Sequence, residues 1–329
     1  DVDRSLTYSG LVETLRNAFR EGAIQPVRHH HTVEHPQGAD STLLLMPAWT
    51  DFANSASGDG HIGVKIVTVS PDNNAIGKPA VMEVLVDAAR RFDVLAIQEI
   101  RSVDQTVTPR FVEMINATGR RYDLVIGPRL GRTSSKEQYA FIYDTQRIEL
   151  AAGSVYTVDD PQDFLHREPL VARFRVRGPL PDQAFTFTLA NLHLDPDEVA
   201  EEIRVLDNVF FSIRDDGRGE DDLILIGDFN TDDRQFGELG QVSGMMAAIS
   251  QTPTNTRQTQ QYANLVFQLP ATSEYMGQSG VFDFLREYNL TLEQALQVSK
   301  HLPVWAEFSM HEGGTLPVIA ASDAPAAVR

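Results

Sequence analysis

The sequence predicts an α+β fold, in which packed sheets are flanked by helices and an atypical segment lies at the amino terminus. Two observations support this fold class. From about residue 80 onward, many short apolar runs of strand length follow one another, and only a few stretches have helical periodicity. The pattern before residue 78 differs from the pattern that follows it, which indicates a separate segment at residues 1–78.

The amino-terminal segment begins with an amphipathic pattern. Leu11 and Leu15 recur at helical spacing, and Gly22 follows where a C-capping glycine would lie. Apolar runs at residues 43–46 and 64–69 then predict two strands. The segment is therefore expected to hold one helix and at least two strands.

From Pro79 the pattern predicts a regular series of helices and strands. Pro79 suits the first position of a helix, because its fixed φ is already helical. The run at residues 94–97 is apolar at every position, as in a central strand that is buried on both faces. Residues 198–213 are expected to be helical. The other predicted strands are residues 123–126, 139–143, 170–176, 185–194, 223–226 and 304–308.

The composition is that of an ordinary soluble globular protein, with 42% hydrophobic and 22% charged residues in a chain of 329. No apolar run approaches the roughly 20 residues needed to cross a bilayer, so no membrane partner is expected. The chain begins with Asp1 rather than Met, which is compatible with removal of a targeting signal. We therefore expect a soluble protein, either cytoplasmic or secreted after such removal.

Charge and cysteine content exclude some kinds of site. Cysteine is absent, so the chain has no disulfide, no thiol nucleophile and no cysteine-ligated zinc. The net charge of −18 opposes binding to nucleic acid by bulk electrostatics. Contact with a nucleic acid would have to rely on a few arginines and a divalent metal.

Polar residues with catalytic potential follow several of the predicted strands. A glutamate such as Glu99 is a hard oxygen ligand that suits Mg²⁺ or Ca²⁺. Asp228 and Asn230 can face one point from a turn, and His193 and His301 supply acid and base groups near neutral pH. Each residue alone also has an ordinary structural explanation, such as a solvated carboxylate or a hydrogen-bonded turn. Together, in this order, they favour metal-assisted hydrolysis of a phosphate ester.

Seven short segments spread over roughly 230 residues carry a resemblance to a known family. They are Ala96-Ile-Gln-Glu-Ile-Arg101, Leu130-Gly-Arg-Thr-Ser-Ser-Lys-Glu137, Arg167-Glu-Pro169, Leu192-His193, Ile226-Gly-Asp-Phe-Asn230, Phe282-Asp-Phe284 and Ser299-Lys-His-Leu-Pro-Val304. In this order they resemble the endonuclease/exonuclease/phosphatase superfamily, and its DNase I-like branch in particular. The resemblance implies a four-layer α/β/β/α sandwich of two packed, mostly antiparallel sheets at residues 79–310. Residues 311–329 would then form a flexible tail.

The resemblance also implies a role for each matched residue. Glu99 and Asp228 would hold the metal, which is Mg²⁺ or, alternatively, Ca²⁺ or Mn²⁺. Asp228 and Asn230 would handle the attacking water and the scissile phosphate. The acid/base group would be His193, oriented by Glu137, and His301 would stabilise or protonate the phosphate. The residues implied to contact the substrate are Arg101, Arg132 and Arg167.

Three positions depart from the family pattern. An asparagine on the first core strand is replaced by Ser70 if residues 64–69 are taken as that strand. The aspartate expected before the final histidine is Lys300, and the aspartate that would partner this histidine is Ala263. Loss of a carboxylate partner lowers the pKa of a histidine, and a neighbouring lysine lowers it further. These changes weaken the metal site and the His301 side of the predicted site.

Residues 5–79 resemble the amino-terminal part of the ornithine cyclodeaminase and mu-crystallin family. The match rests on Pro26-Val-Arg-His-His-His31, Leu43-Leu-Leu-Met-Pro-Ala-Trp49, Gly63-Val-Lys-Ile-Val67 and Pro71-Asp-Asn-Asn74. That family's nicotinamide-binding domain has no counterpart here, so neither NAD binding nor a deaminase or reductase activity is expected. The strand at residues 64–69 would then take the place of the nuclease's own first strand.

The sequence therefore predicts a divalent-metal-dependent hydrolase. The main hypothesis is a phosphodiesterase, and specifically a DNA endonuclease, whose activity is weakened by Ser70, Ala263 and Lys300. The alternative is a catalytically impaired DNase I-like binding or structural protein that retains the scaffold.

Overall fold

A computed structural model of the chain describes residues 23–24, 29–33, 41–50, 62–69, 80–117, 119–133 and 136–314, with side chains from residue 84 onward. The chain divides into two units, Asp1–Val84 with Arg286–Asn289, and Leu85–Leu285 with Leu290–Arg329. The predicted helix around Leu11 and Leu15, the position of Ser70 and the predicted tail beyond Gly314 lie outside the described residues. The predicted join at residues 78–79 stays a prediction.

The first unit contains a four-stranded antiparallel sheet. Its strands are β1 (Ala23–Ile24), β2 (His29–Val33), β3 (Ser41–Thr50) and β4 (Ile62–Val69). Strand β3 pairs with the other three strands, and the whole length of β4 pairs with β3. The strands predicted at residues 43–46 and 64–69 are therefore present. The pairing places residues 64–69 in this sheet. That they take the place of the nuclease's first strand stays a prediction.

The second unit begins within helix α1 (Ala80–Ala89) and contains most of the regular elements. Its other helices are α2 (Val107–Asn116), α3 (Val199–Glu202), α4 (Leu206–Arg214), α5 (Phe284–Tyr288) and α6 (Leu292–Val298). The first group of strands is β5 (Val94–Ile100), β6 (Tyr122–Ile126), β7 (Gln138–Asp144), β8 (Ile148–Leu150), β9 (Tyr156–Thr157), β10 (Leu170–Val176) and β11 (Thr186–His193). The second group is β12 (Leu223–Asp228), β13 (Met245–Ala247), β14 (Ala263–Gln268), β15 (Tyr275–Val281) and β16 (Val304–Phe308).

The second unit is built on two larger sheets. Seven strands form one sheet in the order β13-β14-β12-β11-β10-β8, in which β9 also pairs with β10. Three strands form the other sheet in the order β5-β7-β6, and β15 pairs with β16. The pairing of β11 with β12 is parallel, whereas the other pairings in these sheets are antiparallel.

Three apolar clusters show how the layers pack. Ile142 on the three-stranded sheet packs against Ile115 of α2, on the outer face of that sheet. Between the sheets, Phe141 of β7 meets Phe174 of β10 with ring centroids 5.6 Å apart. On the far side, Phe210 of α4 is fully buried against the seven-stranded sheet. The order helix, sheet, sheet, helix confirms the predicted four-layer sandwich.

The structure corrects the interpretation of the strand predicted at residues 94–97. Among the described strands, β5 lies at the end of its three-stranded sheet, and its side chains are mostly half-buried, so within the described residues it is not a fully buried central strand. An apolar run reports burial of side chains and does not reveal how many strands flank it. The helix predicted at residues 198–213 is interrupted by a 3₁₀ turn at Ile203–Val205. None of the described helices is long and apolar enough to cross a membrane.

Candidate active site

The parallel pairing of β11 with β12 brings two predicted site residues together. Parallel strands end at the same edge of a sheet, and His193 and Asp228 are register partners at that edge. The amide of Leu194 donates to the Asp228 carbonyl at 2.9 Å, which holds the strand ends together. Both side chains are buried. Residues 35 positions apart in sequence are therefore neighbours at one edge.

Gly227 is required for this close approach. It pairs with Leu192 and has a φ of +147°, in the region that favours glycine. A Cβ at this position would lie 1.9 Å from the Leu192 carbonyl oxygen, far inside van der Waals contact. The glycine that precedes Asp228 thus allows β12 to lie against β11 at the point where the site residues begin.

Glu137 holds His193 from the adjacent sheet. It lies at the start of β7, where its backbone bridges to Leu130, and its Oε1 is 2.6 Å from His193 Nδ1. The hydroxyl of Tyr139 accepts a hydrogen bond from the His193 amide at 3.0 Å. Buried side chains from the opposite sheet of the sandwich therefore hold both parts of His193, since Glu137 binds the imidazole and Tyr139 binds the backbone.

The electrostatic environment raises the pKa of His193. Burial would lower the pKa, but the hydrogen bond to Glu137 and the negative charge of Asp228 outweigh burial. Glu137 has the complementary shift. Burial would raise its pKa, whereas the His193 hydrogen bond and charge, with Arg167 and Arg101, bring it below the ordinary value. The pair is thus stabilised in its charged form.

Glu99 is presented by an irregularity in β5. The register between β5 and β7 shifts between Ile97 and Ile100, and Glu99 has a φ of +58°. Such a bulge re-aims a side chain at the end of a strand. The Glu99 carboxylate is partly exposed, and its Oε2 lies 3.0 Å from Arg101 Nη2. The Glu99 carboxylate at this edge of the sheet thus pairs with the guanidinium of Arg101.

Asn191 connects the two sheets behind Glu99. Its side chain is fully buried, and its Nδ2 donates to the carbonyls of Ile97 and Ala140, each at 3.1 Å. Its Oδ1 accepts from Gln98 Nε2. These bonds join β11 to β5 and β7, and so fix the strand that presents Glu99 relative to the strand that presents His193.

Asn230 lies in a tight turn after β12. It has a φ of +50°, and its amide donates to Asp228 Oδ1 at 2.9 Å. Its Nδ2 donates to the Leu194 carbonyl at 2.6 Å. The residue between them, Phe229, is fully buried and packs against Phe236 with ring centroids 5.0 Å apart. This aromatic anchor holds the two polar neighbours at the edge of the sheet.

His301 completes the group beside Asp228. Its Nδ1 lies 3.4 Å from Asp228 Oδ2, but this buried nitrogen has no hydrogen-bond partner among the described residues. The departures noted in the sequence surround it. Ala263 is the register partner of Asp228 on β14, and Lys300 is exposed. Asp228 is thus the carboxylate that faces His301 in place of the two that the family pattern would supply.

The three predicted substrate arginines differ in their environments. Arg101 is 58% exposed at the site edge. Arg167 is only 6% exposed, and its guanidinium contacts Glu137 at 3.2 Å and Asp195 at 3.3 Å. Arg132 pairs with Asp163 and Glu198, apart from the predicted catalytic carboxylates. In this structure Arg101 faces solvent at the site, whereas Arg167 supports Glu137.

The structure thus joins eight of the nine predicted site residues by direct contacts or strand pairing, and places Arg132 elsewhere. Sequence patterns did not identify Tyr139 or Asn191, although both position site residues. Tyr139 lies two residues after Glu137 in a strand read only as apolar core, and Asn191 lies two residues before His193 in another. A polar residue within an otherwise buried strand was the signal that could have indicated them.

The donor set at this edge fits a divalent cation. Glu99 and Asp228 offer carboxylate oxygens, which are the hard ligands that Mg²⁺ prefers, and Arg101 already supplies positive charge to Glu99. No group of three close ligands in the described residues includes Glu99 or Asp228. A site with two protein carboxylates suits Mg²⁺, which usually retains several waters.

Comparisons with known proteins found relatives of the chain. The chain is 30% identical over 245 residues to deoxyribonuclease gamma of Rattus norvegicus, covering 68% of this chain and 76% of the relative. It is 28% identical over 251 residues to deoxyribonuclease-1-like 1 of Mus musculus, covering 73% and 77%. Among solved structures, the human Nocturnin catalytic domain aligns with a TM-score of 0.46 and 16% identity, over 70% of this chain and 85% of that chain.

No protein-family model matches the chain. The resemblance of residues 5–79 to the ornithine cyclodeaminase and mu-crystallin family stays a prediction. The family of the chain is assigned from its identity to the deoxyribonucleases and from the share of both chains that the matches cover. The four-layer fold agrees with this assignment. The chain belongs to the deoxyribonuclease I-like family of hydrolases.

Proposed function

We propose that this protein is a divalent-metal-dependent endonuclease that hydrolyses phosphodiester bonds in DNA. The observation that carries the proposal is the buried pair of Glu137 and His193, placed beside Asp228 by the parallel strand pairing. A histidine oriented by a carboxylate, next to a second carboxylate, is an arrangement suited to moving a proton during hydrolysis.

His193 is the proposed general base or acid. Glu137 accepts a hydrogen bond from Nδ1 of His193, so Nε2 of the same ring is the atom that would accept or release a proton. The Glu137 hydrogen bond and the charge of Asp228 raise the pKa of His193, which favours the imidazolium form that a general acid uses. Tyr139 holds the backbone of the same residue, which restricts movement of the ring.

Asp228, Asn230 and His301 are proposed to act on the phosphate and the attacking water. Asp228 lies between the two histidines, and the turn formed with Asn230 holds its carboxylate. A protonated His301 would neutralise charge on the phosphate oxygens. The cation held by Glu99 and Asp228, Mg²⁺ or alternatively Ca²⁺ or Mn²⁺, would supply charge neutralisation at the scissile phosphate.

DNA is the proposed substrate because relatives that are 28–30% identical to the chain are named as deoxyribonucleases. The exposed guanidinium of Arg101 at the site edge is the proposed contact to the backbone phosphates. Arg132 and Arg167 are proposed to act less directly, since their side chains are only 30% and 5% exposed, against 58% for Arg101.

Nicking of supercoiled plasmid DNA tests the proposal. The full chain should convert the plasmid to open circles with MgCl₂, and EDTA should stop the reaction. His193→Asn and Asp228→Asn should each lower the rate at least about 10²-fold, whereas Glu113→Gln, an exposed change on α2, should not. A folded protein that leaves DNA intact at every metal concentration would refute the proposal.

A second candidate is a DNase I-like binding or structural protein with an impaired site. The unbonded Nδ1 of His301 and the absence of a carboxylate at Ala263 and Lys300 favour it. The double variant Ala263→Asp with Lys300→Asp separates the two functions. Cleavage that appears only in the double variant would support the impaired protein, and cleavage by the unaltered chain would support the endonuclease.

A further inference from the structure

Three carboxylates meet at the opposite end of β12 from the candidate active site. This acidic cluster consists of Asp222, Glu274 and Glu312, each of which offers an oxygen within 4.8 Å of the others. Asp222 directly precedes β12, Glu274 directly precedes β15, and Glu312 begins a 3₁₀ turn at Glu312–Gly314. Segments that are far apart in sequence therefore converge on one point.

Burial distinguishes the acidic cluster from an ordinary solvated patch. Asp222 and Glu274 are each 1% exposed, and Asp222 Oδ1 and Glu274 Oε2 have no hydrogen-bond partner among the described residues. The Thr272 hydroxyl is fully buried beside the Asp222 carboxylate. Buried polar groups are normally satisfied, so the two unpaired carboxylate oxygens indicate a missing partner.

The surroundings of the acidic cluster favour a positively charged partner. Its three carboxylates lie within 4.8 Å of one another, and two of them are almost fully buried. Glu220 is a further acidic neighbour of Asp222, and the basic group that pairs with Glu220 is Arg173, at 2.9 Å. That guanidinium pairs with Glu220, not with the cluster. Carboxylates that repel one another in a buried site are stabilised by a bound cation.

The chemistry of the ligands favours calcium. Carboxylate and hydroxyl oxygens are hard donors, and Ca²⁺ binds six to eight of them at about 2.3–2.6 Å in flexible geometry. Oxygens that share one such ion lie up to roughly 5 Å apart, which accommodates the spacing within the cluster. Mg²⁺ is smaller and requires near-octahedral geometry, so it fits three protein carboxylates less readily.

We propose that the acidic cluster is a second cation site, in which Asp222, Glu274 and Glu312 bind Ca²⁺ with the Thr272 hydroxyl as a neutral ligand. Six residues of extended chain, about 20 Å at ~3.3 Å per residue, separate Asp222 from Asp228 at the active-site end of β12. The ion therefore acts structurally. It ties the start of β12 to the start of β15 and to the turn that contains Glu312.

Thermal unfolding of the full chain tests this site without use of the enzymatic activity. In buffer freed of metal by a chelating resin, CaCl₂ at about 100 times its dissociation constant should raise the Tm by about 5–10 °C. Glu99→Gln, which alters the candidate active site, should retain this rise. Asp222→Asn and Glu274→Gln should abolish most of it, and the exposed control Glu238→Gln should not.

The variants also distinguish a cation site from a merely structural role. Since Asp222→Asn removes one of the repelling charges, the metal-free variant should be at least as stable as the metal-free parent. If instead Asp222→Asn lowers the metal-free Tm and leaves the calcium response intact, the proposal is wrong. A calcium response lost in Glu99→Gln would equally overturn it.

Direct binding provides a second measurement. Equilibrium dialysis with ⁴⁵Ca²⁺ should show one fewer ion per chain for Glu274→Gln than for the parent, and the Glu99→Gln chain should keep that ion. Equal stoichiometry in the parent and Glu274→Gln would refute the site. Competition by MgCl₂ at equal concentration should displace little ⁴⁵Ca²⁺ from it, and full displacement would contradict the assignment to calcium.

Discussion

At the scale of single residues, the candidate site contains two non-glycine residues with positive φ. Glu99 ends an irregular strand at +58°, and Asn230 lies in a turn at +50°. The left-handed region costs most residues about 1–2 kcal/mol, and asparagine tolerates it better than glutamate. Glu99 is therefore held in an unfavourable conformation at the position where the family resemblance implies a metal ligand, which fits the tendency of strain to occur at functional sites.

Replacement of Glu99 by two small residues should reveal this strain. We expect Glu99→Gly to be more stable than Glu99→Ala by about 1 kcal/mol, because glycine adopts positive φ without penalty. Both variants lose the exposed contact with Arg101, so that loss cancels in the comparison. Denaturant unfolding measures the difference, and an alanine variant as stable as the glycine variant would show that the backbone is unstrained.

The Glu137–His193 pair makes a prediction about pH. The folded-state pKa of His193 is raised above 6.5, so its contribution to stability is present below that pH and is lost as pH rises through the raised value. If neutral His193 is the base, activity should increase as pH rises through the same value. Glu137→Gln removes the acceptor that favours the imidazolium ion, so the acid limb should move to lower pH and kcat/KM should fall about 10²-fold.

The pH profile of kcat/KM on a short DNA duplex measures this shift. Glu113→Gln on α2 is the matched control, since that glutamate is exposed and distant in sequence from the pair. An unchanged acid limb in Glu137→Gln would show that another group titrates in the reaction.

At the scale of elements, the parallel pairing of β11 with β12 creates the site. Because these two strands run in the same direction, their carboxyl ends lie side by side, with His193 opposite Asp228. The site residues on these strands then depend on the opposite sheet, which contributes Glu137 and Tyr139 across the sandwich. Two packed sheets are therefore needed to orient one histidine.

Gly227→Ala should disrupt this pairing. The new Cβ would collide with the Leu192 carbonyl, and the strands would have to separate just before His193 and Asp228. We expect a loss of at least about 3 kcal/mol in the free energy of unfolding, and greatly reduced activity in any folded fraction. Gly217→Ala is the control, because Gly217 also has positive φ but a Cβ added there would meet no atom within 4 Å. A loss equal to that of the control would show that the strands tolerate the methyl group.

At the scale of the whole molecule, the net charge of −18 opposes approach to a polyanion. The burial of Arg167 and the limited exposure of Arg132 reduce their contribution to phosphate binding, which leaves Arg101 as the most exposed of the three predicted substrate arginines. The few available contacts predict binding that depends more on the metal than on basic side chains.

Salt dependence measures this balance. Between about 50 and 200 mM NaCl at fixed MgCl₂, the slope of log KM against log salt should correspond to no more than about three phosphate contacts. Arg101→Gln should reduce the slope by about one, whereas Arg132→Gln should change it little. A slope that corresponds to six or more contacts would show that other basic residues bind the DNA.

The sequence by itself determined the family resemblance, the four-layer α+β fold and most of the residues that converge at the site. Local signals were sufficient there, because apolar runs identify strands and the motifs keep their order along the chain. Glu99, His193 and Asp228 could be named for the same reason.

Only the tertiary structure decided how these residues are held. The position of β5 at the end of its sheet among the described strands, the fixation of His193 by Tyr139, and the burial of Arg167 against Glu137 depend on contacts between distant segments. The acidic cluster opposite the site has the same origin, since Asp222 and Glu312 are 90 residues apart in sequence. Side-chain environment is set by the packing of two sheets, and no local pattern in the sequence encodes which residues will meet across them.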